Sequence, residues 1–536
     1  MTEFDLLVRG GAVVDGTGAE PVRADVGVVG DTVREVGDLS GADGVRTVEA
    51  AGRLVFPGFV DAHSHADAAL ADPDVQAAYL HQGVTTVLLG QDGVSFAPTD
   101  AASLAHAGQY FAAVDGAAPA AGPGQGLTVS QLLDSYAGSS ALNAGYLVPA
   151  GTVRQRVVGG ADRPASPAEL DRMADLVDRA MADGALGLST GLDYVPGAFA
   201  DTAELTALCR PVARAGGAYV SHLRGYATDT VAGALAEAAA ISGGAGVRAH
   251  VSHLHGTAAV VQAALDGIER DSGVRLSFDS YPYLRGSTIV AMLLLPTELQ
   301  AGAPADTVRR LGDPAVRRAL RTGSFPGNPR IGSITLSYLR EPAWRWAEGL
   351  ALADAADRWV GDHGGSGDLT DFVCAALAAN GLAVGCVVEN GADRTEADLR
   401  ALLADPRQMA SSDAIFLGSR PHPRGWGAFA RLLARHTRDL GDWTWGQAAR
   451  HLAGSAAERF RLAGRGRIAP GAAADLAVVD PAAVRDNATY ADPRRPASGV
   501  SHVVVNGALA LVDGAVTGVA AGRALRLGRG PGGSAR

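Results

Sequence analysis

Short apolar runs rich in β-branched residues open the chain. Phe4–Val8 (FDLLV), Ala24–Val28 (ADVGV) and Val45–Val48 (VRTV) read as strands broken by Gly and Asp turns. The same grain returns at the far end in Ala474–Val479 (ADLAVV), Val500–Val505 (VSHVVV) and Ala508–Val512 (ALALV). Strand-rich ends around a long middle predict that the termini pair into one small β-domain, residues 1–57 plus 464–536.

The middle alternates. Apolar strand-like runs (LVFPGFVDAH, TTVLLG, LGLSTG, AYVSHL, VRAHVSHL, LSFDSYPY) are separated by helix-like stretches. Glu169–Asp183 is amphipathic behind a Ser166-Pro167 start signal, and Val231–Ile241 and Ala258–Arg270 look similar. This alternation predicts an α/β fold, a (β/α)8 TIM-type barrel over residues 58–463. Between about Ile289 and Ala379 it gives way to Pro, Arg, Trp and Gly, which predicts an inserted lid subdomain at 289–379. The Gly/Arg-rich end, LGRGPGGSAR, reads as frayed.

Composition narrows the classes. The chain has 536 residues, 47% of them hydrophobic and 19% charged, enough apolar material for a large core. Its 46 basic and 57 acidic side chains give a net charge of −11, with no basic block to grip nucleic acid. Cys209, Cys374 and Cys386 are too few and scattered for a disulfide framework. No signal-peptide pattern opens the chain and no apolar run of about 18 residues occurs, so a cytoplasmic protein without a membrane partner is expected. The sequence leaves the oligomeric state open. It contains no lysine at all, which excludes a Schiff base, a catalytic amine or a carbamylated lysine.

A barrel keeps its chemistry at the C-terminal ends of its strands. There, Phe59-Val60-Asp61-Ala62-His63-Ser64-His65 sets His63 and His65 two apart at the end of an apolar strand. Period-two geometry points both imidazoles to one side, which suits a shared metal. His222 ends AYVSH and His253 ends VRAHVSH. Asp413 in MASSD and Asp92 in TTVLLGQDG add carboxylates at further strand ends. Together they predict a mixed nitrogen and oxygen site for Zn2+, one ion or two, or another divalent metal. Asp61 and Asp67 are expected to orient the paired histidines, and His255 to face the site. His250, His81, His106, His363, His422, His436, His451 and His502 read as structural. A metal that activates water beside a carboxylate suits hydrolysis of an amide or related C–N bond in a small-molecule substrate.

These residues resemble a known family. PGFVDAHSHAD, GVTTVLLG, GALGLSTGLDYVPGAFA, YVSHLRG, VSHLHG, FDSYPYLRGST, SSDA, PHPRGWGAFARLL and GRGRIAPGAAADLAVVDP are similar to the N-acyl-D-amino-acid deacylase (D-aminoacylase) branch of the amidohydrolase superfamily. The motifs run from about Leu6 to Gly507, and the inserted segment is the least similar. The resemblance implies a metal-dependent barrel, a β-sandwich from both termini, an inserted lid and deacylation of N-acyl-D-amino acids. It implies that His63 and His65 hold one metal position, His222 and His253 the second, and that Asp413 is ligand and general acid/base. Tyr283 and Ser287 match positions that bind the substrate carboxylate.

Two departures stand out. Where the branch carries GNCG with a metal-binding cysteine, this chain has Gly90-Gln91-Asp92-Gly93, so Asp92 is expected to supply the bridging ligand. Where the branch commonly carries a lysine beyond its second metal histidine, this chain has His255, with Arg285 and Arg224 as replacement cations toward substrate. Two other readings stay open. One is a cyclic-amide hydrolase of the dihydropyrimidinase or hydantoinase kind, weakened by the missing lysine; the other is a non-catalytic binding protein that keeps the barrel.

Overall fold

The computed structural model describes residues 3–391 and 394–529. Eight strands form one parallel sheet: β1 (Phe59–Asp61), β2 (Val84–Leu89), β3 (Asn143–Pro149), β4 (Gly187–Gly191), β5 (Ala218–His222), β6 (Arg248–Val251), β7 (Ser277–Ser280) and β8 (Gln408–Ala410). Each pairs with its sequence neighbour. The Ala62 N–H donates to the Ala410 carbonyl at 3.3 Å, which brings the first and last strands together and curls the sheet into a barrel. β2 and β3 are buried along their whole length, as a sheet covered on both faces requires.

Helices cover the outside. Pro167–Ala182 begins as the sequence predicts, with Ser166 and Glu169 capping one another's backbone and Pro167 in the first turn. Val231–Ala245 and Ala258–Ser272 run a few residues beyond their expected ends and stop at Gly246 and Gly273.

Strands from both ends of the chain share a nine-stranded sheet, the β-sandwich. Leu54–Pro57 is its join, parallel to Glu3–Val13 and antiparallel to Leu476–Val479. It buries Leu6, Val26, Val28, Val33, Val55, Val478 and Val504 in a core of its own. After Leu54–Pro57 only Gly58 intervenes before β1, so the sandwich fixes the strand that leads into His63 and His65. At the C-terminal end, the Leu525 N–H donates to Ala144 O at 2.8 Å and the Leu527 N–H to Gly184 O at 3.1 Å, which ties the tail to the barrel. The rest of the end expected to fray, residues 530–536, lies outside the described residues.

The insertion between β7 and β8 carries a three-stranded antiparallel sheet, with Val384–Glu389 central between Arg285–Ile289 and Thr335–Leu339. It packs a separate apolar cluster around Leu294, Leu336, Phe372 and Leu377. Met292, Leu293, Arg330 and Val388 of this insertion help roof the cavity at the barrel mouth. No helix among the described residues is long and apolar enough to cross a membrane.

Candidate metal centre and active site

Six side chains from the ends of five barrel strands meet at its C-terminal end. His63 and His65 follow β1, and their Nε2 atoms stand 3.3 Å apart. His222 ends β5 and His253 follows β6, with Nδ1 of the first 3.0 Å from Nε2 of the second. Asp92, just beyond β2, lies between the two pairs. Its Oδ1 is 3.5 Å from His63 Nε2, and its Oδ2 is 3.3 Å from His222 Nδ1 and 3.5 Å from His253 Nε2. Asp413, beyond β8, approaches His65 Nε2 at 3.4 Å and His63 Nε2 at 3.7 Å through Oδ1. All six are buried.

Backbone conformation shows how firmly these groups are held. Asp92, His253 and Asp413 adopt left-handed φ values of 52°, 34° and 49°. Such conformations cost of order 1–3 kcal/mol each and persist only where the surroundings over-determine them. Gly90 and Gly93 bracket Asp92, also with positive φ. A Cβ on Gly90 would fall 2.2 Å from Leu147 O, and one on Gly93 2.6 Å from Gly191 N. Asp413 N–H donates to His63 O at 2.8 Å, locking the last ligand loop to the first.

Electrostatics favour a cation here. Burial raises the Asp92 carboxyl, yet His63, His222 and His253 together hold it well below the usual carboxylate range. Burial lowers the His222 imidazole, while Asp193 and Asp92 outweigh it and lift it to about 10. Asp92 Oδ1 is buried without a hydrogen-bond partner among the described residues. Two sets, His63–Asp92–His253 and His63–His65–Asp413, each bring their donor atoms within 4.8 Å of one another. Imidazoles and carboxylates in this proximity fit one or two borderline divalent ions.

The orienting carboxylates are not those expected from sequence. Asp61 accepts from the His63 and Ser412 N–H groups at 3.3 and 2.8 Å, so it braces backbone rather than an imidazole. Asp67 accepts from Gly90 N–H at 3.0 Å and from Ser95 Oγ–H at 2.5 Å. Asp115 holds His65 Nδ1 at 3.0 Å, and Asp279 lies 3.7 Å from His63 Nδ1. Asp193, immediately beyond β4, reaches His222 Nε2 at 2.6 Å from the cavity wall. His250 is structural as expected, held between Ser277 and Asp279.

The residues expected to meet substrate divide. Ser287 and His255 line the cavity of about 80 Å³ over the cluster. His255 stacks on Tyr226 and donates Nδ1–H to His253 O at 2.9 Å. Burial, reinforced by Arg394, holds it well below the usual imidazole range, so His255 is neutral and does not replace a lysine's charge. The structure places Tyr283, Arg285 and Arg224 outside this cavity. A turn in which Tyr283 N–H donates to Tyr281 O at 2.9 Å sends the Tyr283 ring toward Asp486, where its hydroxyl donates at 3.2 Å. Tyr281 takes the cavity wall instead. Arg285 pairs across strands with Glu389 at 3.4 Å and faces a neighbouring cavity. Arg224 is consumed by the carbonyls of Ala198 and Ala200, both at 2.9 Å, and by Glu237 at 3.1 Å.

One further residue went unnoticed in the sequence. Arg424, fully buried, sets Nη1 2.7 Å from Asp413 Oδ2 and lies 4.6 Å over the Tyr281 ring. Its only sequence signal is a position inside PHPRGWGAF. Burial raises the Asp413 carboxyl, but Arg424 and then His65 outweigh it and keep it below the usual range. Asp413 is therefore ionised at neutral pH and able to accept a proton.

Comparison with known proteins follows the same lines. The profile of the family described as "Amidohydrolase family" matches residues 46–264 and 367–510. A D-aminoacylase from Alcaligenes xylosoxydans xylosoxydans is 34% identical, covering 97% of each chain. A D-aminoacylase structure, described for its binuclear metal centre, superposes with a TM-score of 0.81 at 31% identity, over 98% of this chain and 100% of that one. An N-acyl-D-glutamate deacylase from Bordetella bronchiseptica, complexed with zinc and a phosphonate mimic of the tetrahedral intermediate, gives 0.79 at 30% identity over 98% and 100%.

Proposed function

The chain belongs to the amidohydrolase family, and from that premise we propose that it hydrolyses the amide bond of N-acyl-D-amino acids with Zn2+ held by His63, His65, Asp92, His222, His253 and Asp413. The observation that carries this reading is Asp92, one carboxylate shared between two histidine pairs with Asp413 beside the first. Similarity to deacylases over nearly the whole chain favours an acyclic amide over a cyclic one. The absence of lysine points the same way.

A divalent ion in this set supplies Lewis acidity, polarising a carbonyl and easing deprotonation of water. The protein's own groups do the rest. Asp413 Oδ1 accepts the proton that water loses as it attacks the acyl carbon. Asp413 then returns that proton to the nitrogen as the C–N bond breaks, releasing a carboxylic acid and a free amine. Arg424 keeps Asp413 ionised and aimed at His63 and His65. Asp115 and Asp279 hold the two imidazoles of the first pair. Ser287, His255 and Tyr281 offer hydroxyl and imidazole groups to the substrate, beside the apolar wall of Met292, Leu293 and Ile415.

On this reading residues 1–57 and 464–536 brace the barrel of 58–463, and 289–379 acts as its lid. The test is amine release from an N-acyl-D-amino acid after chelation and zinc restoration. Activity lost on chelation and regained with zinc supports the proposal; full activity in chelated enzyme containing no bound metal rejects it.

A further inference from the structure

The N-terminal face of the barrel, opposite the metal centre, holds a cavity of about 260 Å³ whose charged lining is five arginines and one carboxylate, Glu458. Arg248 opens β6, while Arg275 and Arg407 lie just before β7 and β8. Arg450 and Arg459 reach it from Arg450–Gly454 and Ser455–Arg459. Guanidiniums from five places in the sequence thus converge on one opening in a chain whose net charge is −11.

Their acidic partners are incomplete. Arg407 pairs with Asp405 at 2.6 Å and with Asp266 at 2.7 Å, and Arg450 pairs with Glu458 at 2.6 Å. Arg275 pairs with Glu269 at 3.8 Å on the exposed rim. Arg248 donates to the Gly216 carbonyl at 3.0 Å, and neither it nor Arg459 has a carboxylate within ion-pair distance among the described residues. Burial, with Arg248 and Arg275 close by, pushes the Arg459 guanidinium down to about 10. Arg248 and Arg459, close together and each without a paired carboxylate among the described residues, repel in a partly buried setting, and an anion between them lowers that cost.

We propose that this cavity binds a phosphate group, either inorganic phosphate or a small phosphomonoester. A tetrahedral, doubly charged oxyanion presents oxygens in several directions to forks that arrive from separate elements. A carboxylate offers one charge and two oxygens, and satisfies fewer of them. Ser277 and Ser455 add hydroxyls to the lining. The volume admits a phosphate with a short attached group, and falls below the range of about 300–1,000 Å³ typical of larger ligands. The anion would tie together the starts of β6 and β8, whose far ends lead to His253 and Asp413, and of β7, which carries Asp279. Its effect falls on stability rather than on turnover.

Equilibrium dialysis of the full chain against labelled inorganic phosphate tests this, with ionic strength fixed by sodium chloride. Prior chelation removes metal that could itself bind phosphate. One saturable phosphate per chain is expected, with a raised Tm. Binding weakens at least tenfold in Arg248→Gln and in Arg459→Gln, while both keep wild-type turnover once zinc is restored. Should a glutamine variant fail to fold, Arg459→Lys, which keeps the charge and loses the fork, is expected to bind several-fold more weakly than wild type. Competition by glycerol 3-phosphate assigns the site to phosphomonoesters, and its failure assigns it to free phosphate. Binding no greater than the chloride control allows overturns the proposal. So does binding at wild-type strength in the arginine variants.

Discussion

Arg424 Nη1 stands 2.7 Å from Asp413 Oδ2, on the side of the carboxylate away from the histidines, while Oδ1 faces His65 Nε2 at 3.4 Å. The same carboxylate is thereby ionised by one neighbour and presented to the metal centre by its other oxygen. Removing either partner of a buried ion pair costs roughly 3–5 kcal/mol, because the survivor is left uncompensated. In Arg424→Met the Asp413 carboxyl therefore rises toward and beyond its ordinary range. The acid limb of kcat/KM moves to higher pH, and the pH profile reads the shift directly. An unmoved acid limb in a folded variant would show that Arg424 does not set the charge of Asp413.

Asp413→Asn keeps the shape and loses the base. General acid–base catalysis is worth about 10²–10⁴ in rate, so kcat falls by at least that range. Near wild-type turnover in this variant would remove Asp413 from the proton path.

Asp92 is the chain's departure from the cysteine of the resembling branch. Asp92→Ala is expected to lose bound metal and activity together, as judged by metal analysis of dialysed protein. Asp92→Cys is expected to keep metal and to bind Zn2+ more tightly than wild type, since thiolate is the softer ligand. Unchanged metal content in the alanine variant would reduce Asp92 to a loop residue.

Asp193 contacts His222 Nε2 at 2.6 Å, leaving Nδ1 toward Asp92 and His253. A carboxylate on the far nitrogen of a metal-binding imidazole fixes its tautomer and orientation, and losing it typically costs 10–100-fold in metal affinity or activity. Asp193→Asn should weaken zinc retention by that factor in competition with a chromophoric chelator. Affinity within twofold of wild type would deny it the role.

How far the sequence carried the site depended on distance along the chain. His63 and His65 share one strand end, so a period of two reveals them, and His222 and His253 sit in matching strand-end settings. Asp115 and Asp279 brace the first pair from 50 and 216 residues beyond His65 and His63, and no local pattern joins them. Tyr281 and Tyr283 flank one proline in SYPY, and only the turn between them decides which ring enters the cavity. Arg224 looked free in the sequence because the carbonyls that take it, at Ala198 and Ala200, lie on another loop. The barrel was legible because buried parallel strands are short apolar runs. The insertion's sheet was not, since Arg285–Ile289 pairs with Val384–Glu389 across about a hundred residues.

The metal-free protein should respond to pH in a defined direction. Burial lowers His222, but Asp193 and Asp92 raise it to about 10, above an unfolded value of about 6.5. A raised folded-state value means stabilisation that is complete below about 6.5 and is lost as pH rises through about 10. The Tm of chelated protein is therefore expected to fall between pH 7 and 10. Zinc-loaded protein does not follow it, because the ion takes the place of the proton. Zinc uptake at pH 7 should release protons, measurable in weak buffer. A chelated Tm that is flat or rising over this interval would contradict the charge assignment.

The most direct measurement is amine release from matched N-acyl-D- and N-acyl-L-amino acids, using zinc-loaded enzyme prepared without chelator. Turnover of D substrates is expected, with little or none of their L partners, and with loss of activity in Asp413→Asn on the same substrates. Preference for the L series, or D turnover that survives Asp413→Asn, would contradict the proposed function.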